Sequence, residues 1–219
     1  MKKFIIMVAL LTIHLQSTET LIYKKDTGGK ETTTTYTVDK TSSQYKIEAT
    51  SQDHQTLLES NIPYSLVCLS CTSKKNSDHY TFTLKDSVLT ADGVIKGEKL
   101  HVTHKLGKNE RWIQEFEFGL LPLLTSTRKS IDFAILHPKN FKIHKMTAKK
   151  YAIETLQLGE VSYKAQQVQI SLQGFKSMFW KAHLWYDTET HDLLMYKANE
   201  GPHTPTTIIS LVSKASSVE

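Results

Sequence analysis

The chain has 219 residues, 39% of them hydrophobic and 22% charged, a balance that excludes a disordered tail and a polytopic membrane protein. Its 27 basic and 22 acidic residues leave a net charge of +5, too mild to indicate a nucleic-acid partner. Nine glycines and two cysteines exclude a glycine-rich repeat and a disulfide-stapled miniprotein.

Residues 1–17, MKKFIIMVALLTIHLQS, place Lys2 and Lys3 before an apolar run from Phe4 to Ile13, the layout of a secretory signal peptide. The run falls well short of the roughly 20 residues a membrane-spanning helix needs. Cleavage near Ser17 is therefore favoured over an uncleaved anchor, and over a buried first element of a cytoplasmic protein. Losing Lys2 and Lys3 with the leader would leave +3. No later stretch is long and apolar enough to span a membrane. Residues 18–219 are accordingly expected to be a single antiparallel β domain without an integral membrane span, periplasmic or secreted from a bacterium.

From Glu19 onward the pattern alternates with period two and is rich in Thr, Val, Ile, Tyr and Phe, as half-buried strands are. Glu19 to Lys25 leads through Asp26-Thr27-Gly28-Gly29 into Glu31 to Val38, a hairpin with a Gly-Gly turn. Tyr45, Ile47 and Ala49 share one strand face; Tyr80, Phe82 and Leu84 share another, and Asp92-Gly93 reads as a turn. Leu100, Val102, His104 and Leu106 follow on one face, then Trp112, Phe116 and Phe118 on one side of a strand from Arg111 to Phe118. Residues 120–136, LLPLLTSTRKSIDFAIL, are the one helical insert expected, limited by Pro122. Asn140 to Tyr151 is basic, and the strand pattern resumes at Ile153. Val168, Ile170 and Leu172 alternate with glutamines; Trp180, Ala182, Leu184 and Tyr186 oppose Lys181, His183 and Trp185. After a turn at Asp187 to His191, Leu193 to Lys197 and Thr206 to Val212 complete the pattern. About ten short strands at near-regular spacing predict a mainly β fold, one curved antiparallel sheet forming a barrel or half-barrel.

Chemistry-bearing motifs are few. Cys68-Leu69-Ser70-Cys71 is a lone C-x-x-C, expected as a local disulfide in an oxidising compartment, with free thiols and redox or metal chemistry as alternatives. His101 and His104 would face opposite sides of a strand and so do not chelate. The S-x-x-K string at Ser43 and Lys46 is separated across two faces for the same reason. No zinc-protease motif, nucleophile elbow, phosphate loop or dinucleotide fingerprint occurs, so no metal or cofactor is expected. The aromatic and apolar set Trp112, Phe116, Phe118, Trp180, Leu184 and Tyr186 would line the concave side of the sheet, as an ordinary core or as a ligand cavity. Lys142, Lys145, Lys149 and Lys150 form a solvated face or a contact for anionic headgroups.

Phe133 to Pro138, Tyr151-Ala152-Ile153-Glu154 with Leu158-Gly159, the strand Lys164 to Leu172, Trp185-Tyr186-Asp187 and Leu193 to Tyr196 resemble a family of uncharacterised exported bacterial proteins. The resemblance implies a curved sheet similar to those of lipocalins or lipoprotein-localisation factors, an envelope location and no catalytic residues. Where that family carries glycine after the hairpin aspartate, this chain has Thr188-Glu189-Thr190-His191. The resulting expectation is a non-enzymatic envelope protein binding an apolar ligand or lipid. A structural or assembly role through an envelope protein partner is the alternative, and a redox or hydrolytic enzyme using Cys68 and Cys71 a second.

Overall fold

The computed structural model describes residues 17–218 apart from 63, 109, 175–179, 200 and 202–203; the expected leader, except Ser17, lies outside the described residues. The strands are β1 (Ser17–Thr27), β2 (Lys30–Lys40), β3 (Gln44–Ser51), β4 (His54–Asn61), β5 (Ser65–Ser73), β6 (His79–Lys85), β7 (Val88–Ile95) and β8 (Glu98–Lys105). After β9 (Arg111–Trp112) come two single-turn helices, α1 (Phe116–Gly119) and α2 (Leu121–Leu124). The chain continues with β10 (Ser130–Leu136), β11 (Ile143–Leu158), β12 (Val161–Leu172), β13 (Lys181–Asp187), β14 (Leu193–Asn199) and β15 (Thr206–Val218).

All fifteen strands form one sheet, in the order β8-β7-β6-β5-β4-β3-β2-β1-β15-β14-β13-β12-β11-β10-β9. Two meanders thus run outward from the central β1–β15 pair, which joins the beginning and end of the described chain. Period-two alternation puts one face of nearly every strand inside: Leu21 and Tyr23, Tyr36 and Val38, Ile47 and Ala49, Val168 and Ile170, and Ala182, Leu184 and Tyr186 are all buried. Every ladder is antiparallel except β9–β10, which is parallel. A parallel pair requires a crossover of about a dozen residues or more. Here the crossover is residues 113–129, and it enters the hollow of the sheet, where Leu120 and Leu123 are fully buried.

The edge strands β8 and β9 share no backbone ladder, so the sheet is barrel-like without closing. Side chains cover the seam. Phe141, in the β10–β11 connection, packs 5.3 Å from Phe82 and 6.1 Å from Tyr80, while Trp112 lies 6.4 Å from Phe82. The His104 ring meets the Phe141 carbonyl at 3.2 Å from Nε2.

Several sequence expectations are corrected. The Gly28-Gly29 turn is present, but Asp92-Gly93 lies inside β7, and the next turn is Lys96-Gly97. A Cβ on Gly93 would sit 2.4 Å from the His79 carbonyl oxygen, so this glycine serves close strand approach and not a turn. The strand expected from Arg111 to Phe118 stops at Trp112, because the chain leaves the sheet there to begin the crossover. The helix expected over 120–136 begins earlier and ends at Leu124; Ser130–Leu136 is a strand. From Ile143 onward the basic segment before Tyr151 already belongs to β11, which pairs with β10 and β12. His101 and His104 do face opposite ways: His101 Nδ1 lies 2.5 Å from Asp92 outside, and His104 turns to the seam.

Candidate functional site

The crossover is anchored by residues that imitate strand pairing. The Ile113 N–H donates to the Ala134 carbonyl at 3.0 Å. The Gln114 side chain then pairs with Leu136 as a backbone would, Nε2 donating to its carbonyl at 2.8 Å and Oε1 accepting from its N–H at 3.2 Å. Gly119 packs so tightly on Ile113 that a Cβ would lie 2.4 Å from Cγ2. At the far end Lys150 donates to the carbonyls of Leu123 and Ser126 at 3.1 and 2.7 Å, completing the carboxyl end of α2. The basic cluster is therefore divided: Lys150 holds the insert, Lys145 faces Glu110 at 3.6 Å, and Lys149 lies 5.3 Å from the Tyr151 ring centre.

Among the described residues, three cavities flank the insert. The largest, about 520 Å³, opens at the end of the sheet where β4, β6 and β8 finish. Its floor includes Leu84, Trp112 and Ile113, and Lys108, Arg111 and Arg128 stand around it. The one carboxylate there, Glu110, is engaged with Lys145 and with the Gly107 N–H. A second cavity of about 340 Å³ opens at the same end between Tyr45, Tyr64, Phe118 and Glu117. A third, about 220 Å³, lies toward the opposite end beside Glu115, Phe116, Glu117 and Tyr196. Glu117 borders both of the last two.

Glu115 and Glu117 are the unexpected feature. An uninterrupted strand would turn both outward, but the turn into α1 carries Glu115, at its N-cap, and Glu117, within it, into the hollow, with only partial access to solvent. Burial, with the neighbouring Glu117 charge, pushes Glu115 up to about 8. Burial also raises Glu117, opposed by hydrogen bonds from its own backbone and from the Tyr36 hydroxyl. Tyr23, Tyr36, Tyr64 and Tyr186 surround the pair, each held neutral mainly by burial and further by these carboxylates. Tyr186 donates to the Phe116 carbonyl at 2.7 Å, whereas the buried hydroxyls of Tyr23 and Tyr64 have no protein partner. The sequence signal was two acids spaced by two within WIQEFEFGLLPLL, an apolar stretch with no basic residue beside them.

The residues expected to line a cavity divide. Trp112 lines the first cavity, Phe118 the second and Phe116 the third. Leu184 and Tyr186 are fully buried core side chains and line none of them; Trp180 is partly buried and packs against that core. Phe116 and Phe118 reach the interior from α1 and not from a strand. The expected disulfide is absent: Cys68 and Cys71 are both free, since residues three apart on β5 point to opposite faces. Alkylating the unfolded, unreduced protein is expected to modify two thiols; a mass lower by two hydrogens with no labelling would show the disulfide instead. Among the described residues no group of three or more His, Cys, Asp or Glu side chains could hold a metal ion.

No family model and no curated protein matches the chain. The fold is similar to that of a solved β-barrel-like protein of domain of unknown function DUF1849 from Brucella abortus, with a TM-score of 0.61 and 8% identity over 91% of this chain and 98% of that one. Two further matches, PNGF-II and a DUF1329 family protein from Desulfovibrio piger, have TM-scores of only 0.31 and 0.26 at 10% and 8% identity. The former covers 92% of this chain and 28% of that one, the latter 93% and 86%. The first match establishes a mainly β, barrel-like fold shared with a protein whose domain has no assigned function.

Proposed function

We propose that this is a non-enzymatic exported protein of the bacterial envelope that holds a lipid with an anionic head in the cavity beside Trp112. The observation that carries the reading is the cavity's polarity. Lys108, Arg111 and Arg128 surround an apolar floor, and among the described residues none of the three forms an ion pair. Uncompensated cations beside buried apolar surface suit a ligand that has a charged end and an aliphatic body. At about 520 Å³ the volume lies within the usual range of about 300–1,000 Å³ for small-molecule sites. The leader-like segment at residues 1–17 supports the exported location.

Native mass spectrometry and lipid extraction of protein from a periplasmic fraction should give a stoichiometric anionic lipid. Reversing two charges, Arg111→Glu with Arg128→Glu, should weaken binding of a fluorescent fatty acid at least about tenfold, or 1.4 kcal/mol. Unchanged affinity in the double variant would overturn the reading. A clean apo mass would instead favour the assembly role. That second reading has its own support in the distal part of the β11–β12 hairpin, where Tyr151, Ile153 and Val161 are exposed.

A further inference from the structure

We propose that the cavity between Glu117 and the rings of Tyr45, Tyr64 and Phe118 is a binding site for a small organic ammonium ion. The walls are aromatic: Tyr64 stacks 6.3 Å from Phe118, Tyr45 lies 6.2 Å from Tyr64, and Tyr36 meets Phe118 edge-on at 5.5 Å. Aromatic faces grouped around a carboxylate are what an ammonium ion requires, since both present negative potential and neither needs a metal's fixed geometry. The ring of Tyr45 already attracts one ammonium, with the Lys40 nitrogen 5.5 Å from its centre.

Besides Glu117 the cavity lining carries Glu19, Asp192, Lys40 and Lys214. Glu19 and Asp192, at the rim, are met by Lys214 at 3.5 and 2.8 Å. Glu117 has no cationic partner among the described residues, and Glu115 beside it has none either. The second, independent observation is the Tyr64 hydroxyl; Tyr23 lines none of the three cavities. Tyr64, 4% exposed, lines the cavity, and Tyr23, 2% exposed, packs against Tyr36 at 5.6 Å. Neither hydroxyl oxygen has a hydrogen-bond partner, although buried polar groups ordinarily do. An N–H donor from a bound ammonium would satisfy the Tyr64 oxygen and the Glu117 carboxylate together. A volume of about 340 Å³ limits the ligand to a small amine or quaternary ammonium. This site is separate from the proposed lipid cavity, with Tyr64 the wall they share.

Burial holds the proton on Glu117, so a bound cation must displace it, and the test is calorimetric titration of the intact protein at about pH 9 with butylammonium and with tetramethylammonium, against sodium chloride at equal ionic strength. Saturable millimolar binding of either cation, competitive between the two and insensitive to sodium, is expected. Glu117→Gln should weaken it at least tenfold with the circular dichroism spectrum unchanged, and Phe118→Leu severalfold. If Glu117→Gln does not fold, Tyr64→Phe, which removes only the hydroxyl, should weaken butylammonium more than tetramethylammonium, which has no N–H to donate. Absence of saturable binding, equal displacement by sodium, or unchanged affinity in the variants would overturn the proposal. Arg111→Glu with Arg128→Glu should leave ammonium binding intact, so failure of the lipid reading and failure of this one are distinguishable.

Discussion

Replacing Phe82 with alanine is expected to lower the unfolding free energy by about 3–5 kcal/mol. Phe82 is completely buried on β6, and its ring touches both sides of the seam. Tyr80 stacks on it at 4.7 Å from its own strand, while Phe141 and Trp112 meet it edge-on from the other meander. No ladder joins β8 to β9, so these rings do work that backbone hydrogen bonds do in a closed barrel. Phe141 shows how strongly the seam is specified: it is fully buried in a left-handed conformation, with φ at 54°, which a bulky residue adopts only when its surroundings hold it there. Removing the Phe82 ring deletes the buried area, leaves a void and withdraws the partner that holds Phe141. Urea unfolding followed by tryptophan fluorescence should show a lower midpoint at unchanged slope. Ile153→Ala, on the exposed ribbon at 53%, should stay within about 0.5 kcal/mol of the parent. A loss below about 1 kcal/mol for Phe82→Ala would mean that the seam is held elsewhere.

The contrast between Phe82 and Phe118 shows what could be read from the amino acids alone. Phe82 alternates with Thr81 and Thr83, so its strand, its face and its burial all follow from a period of two. Phe118 alternates just as well with Glu117 and Glu115, and the same argument makes it a strand residue with two acids turned to solvent. The structure reverses this, because the chain must cross over to pair β10 parallel to β9, and pairing direction is a non-local property that no local pattern encodes. The three aromatic residues of that stretch still reach cavities, Trp112 from β9 but Phe116 and Phe118 from a helix. Alternation also underestimates the strand count where apolar positions are few: in β4 Leu57 and Leu58 are the apolar residues, and the strand is held by its ladders to β3 and β5. By itself the C-x-x-C spacing of Cys68 and Cys71 suggests a local disulfide. Once both lie in the middle of β5, strand geometry separates them.

The acid pair predicts a second large effect, loss of stability as pH rises. Glu115 is pushed up to about 8 and Glu117 moves in the same direction, whereas glutamates in the unfolded chain titrate near 4.3. Below that value both states carry the protons and the native interior is undisturbed. Between about 4.3 and 8 the unfolded chain has released the Glu115 proton that the native state retains, so stability falls with increasing pH, and above 8 the Glu115 contribution falls no further. Each unit of raised pKa corresponds to about 1.4 kcal/mol; because water reaches the carboxyls through the flanking cavities, a total loss of about 2–3 kcal/mol is expected. The four surrounding tyrosines stay neutral throughout this window, but His191, another ionisable side chain, also borders the second cavity. The assignment therefore rests on a comparison. Urea midpoints of the parent and of Glu115→Gln should converge near pH 5 and separate toward pH 8.5, the variant being the more stable at the alkaline end. Glutamine keeps the shape and a polar end but has no proton to lose, so parallel curves for the two proteins would place the titrating group somewhere other than the insert.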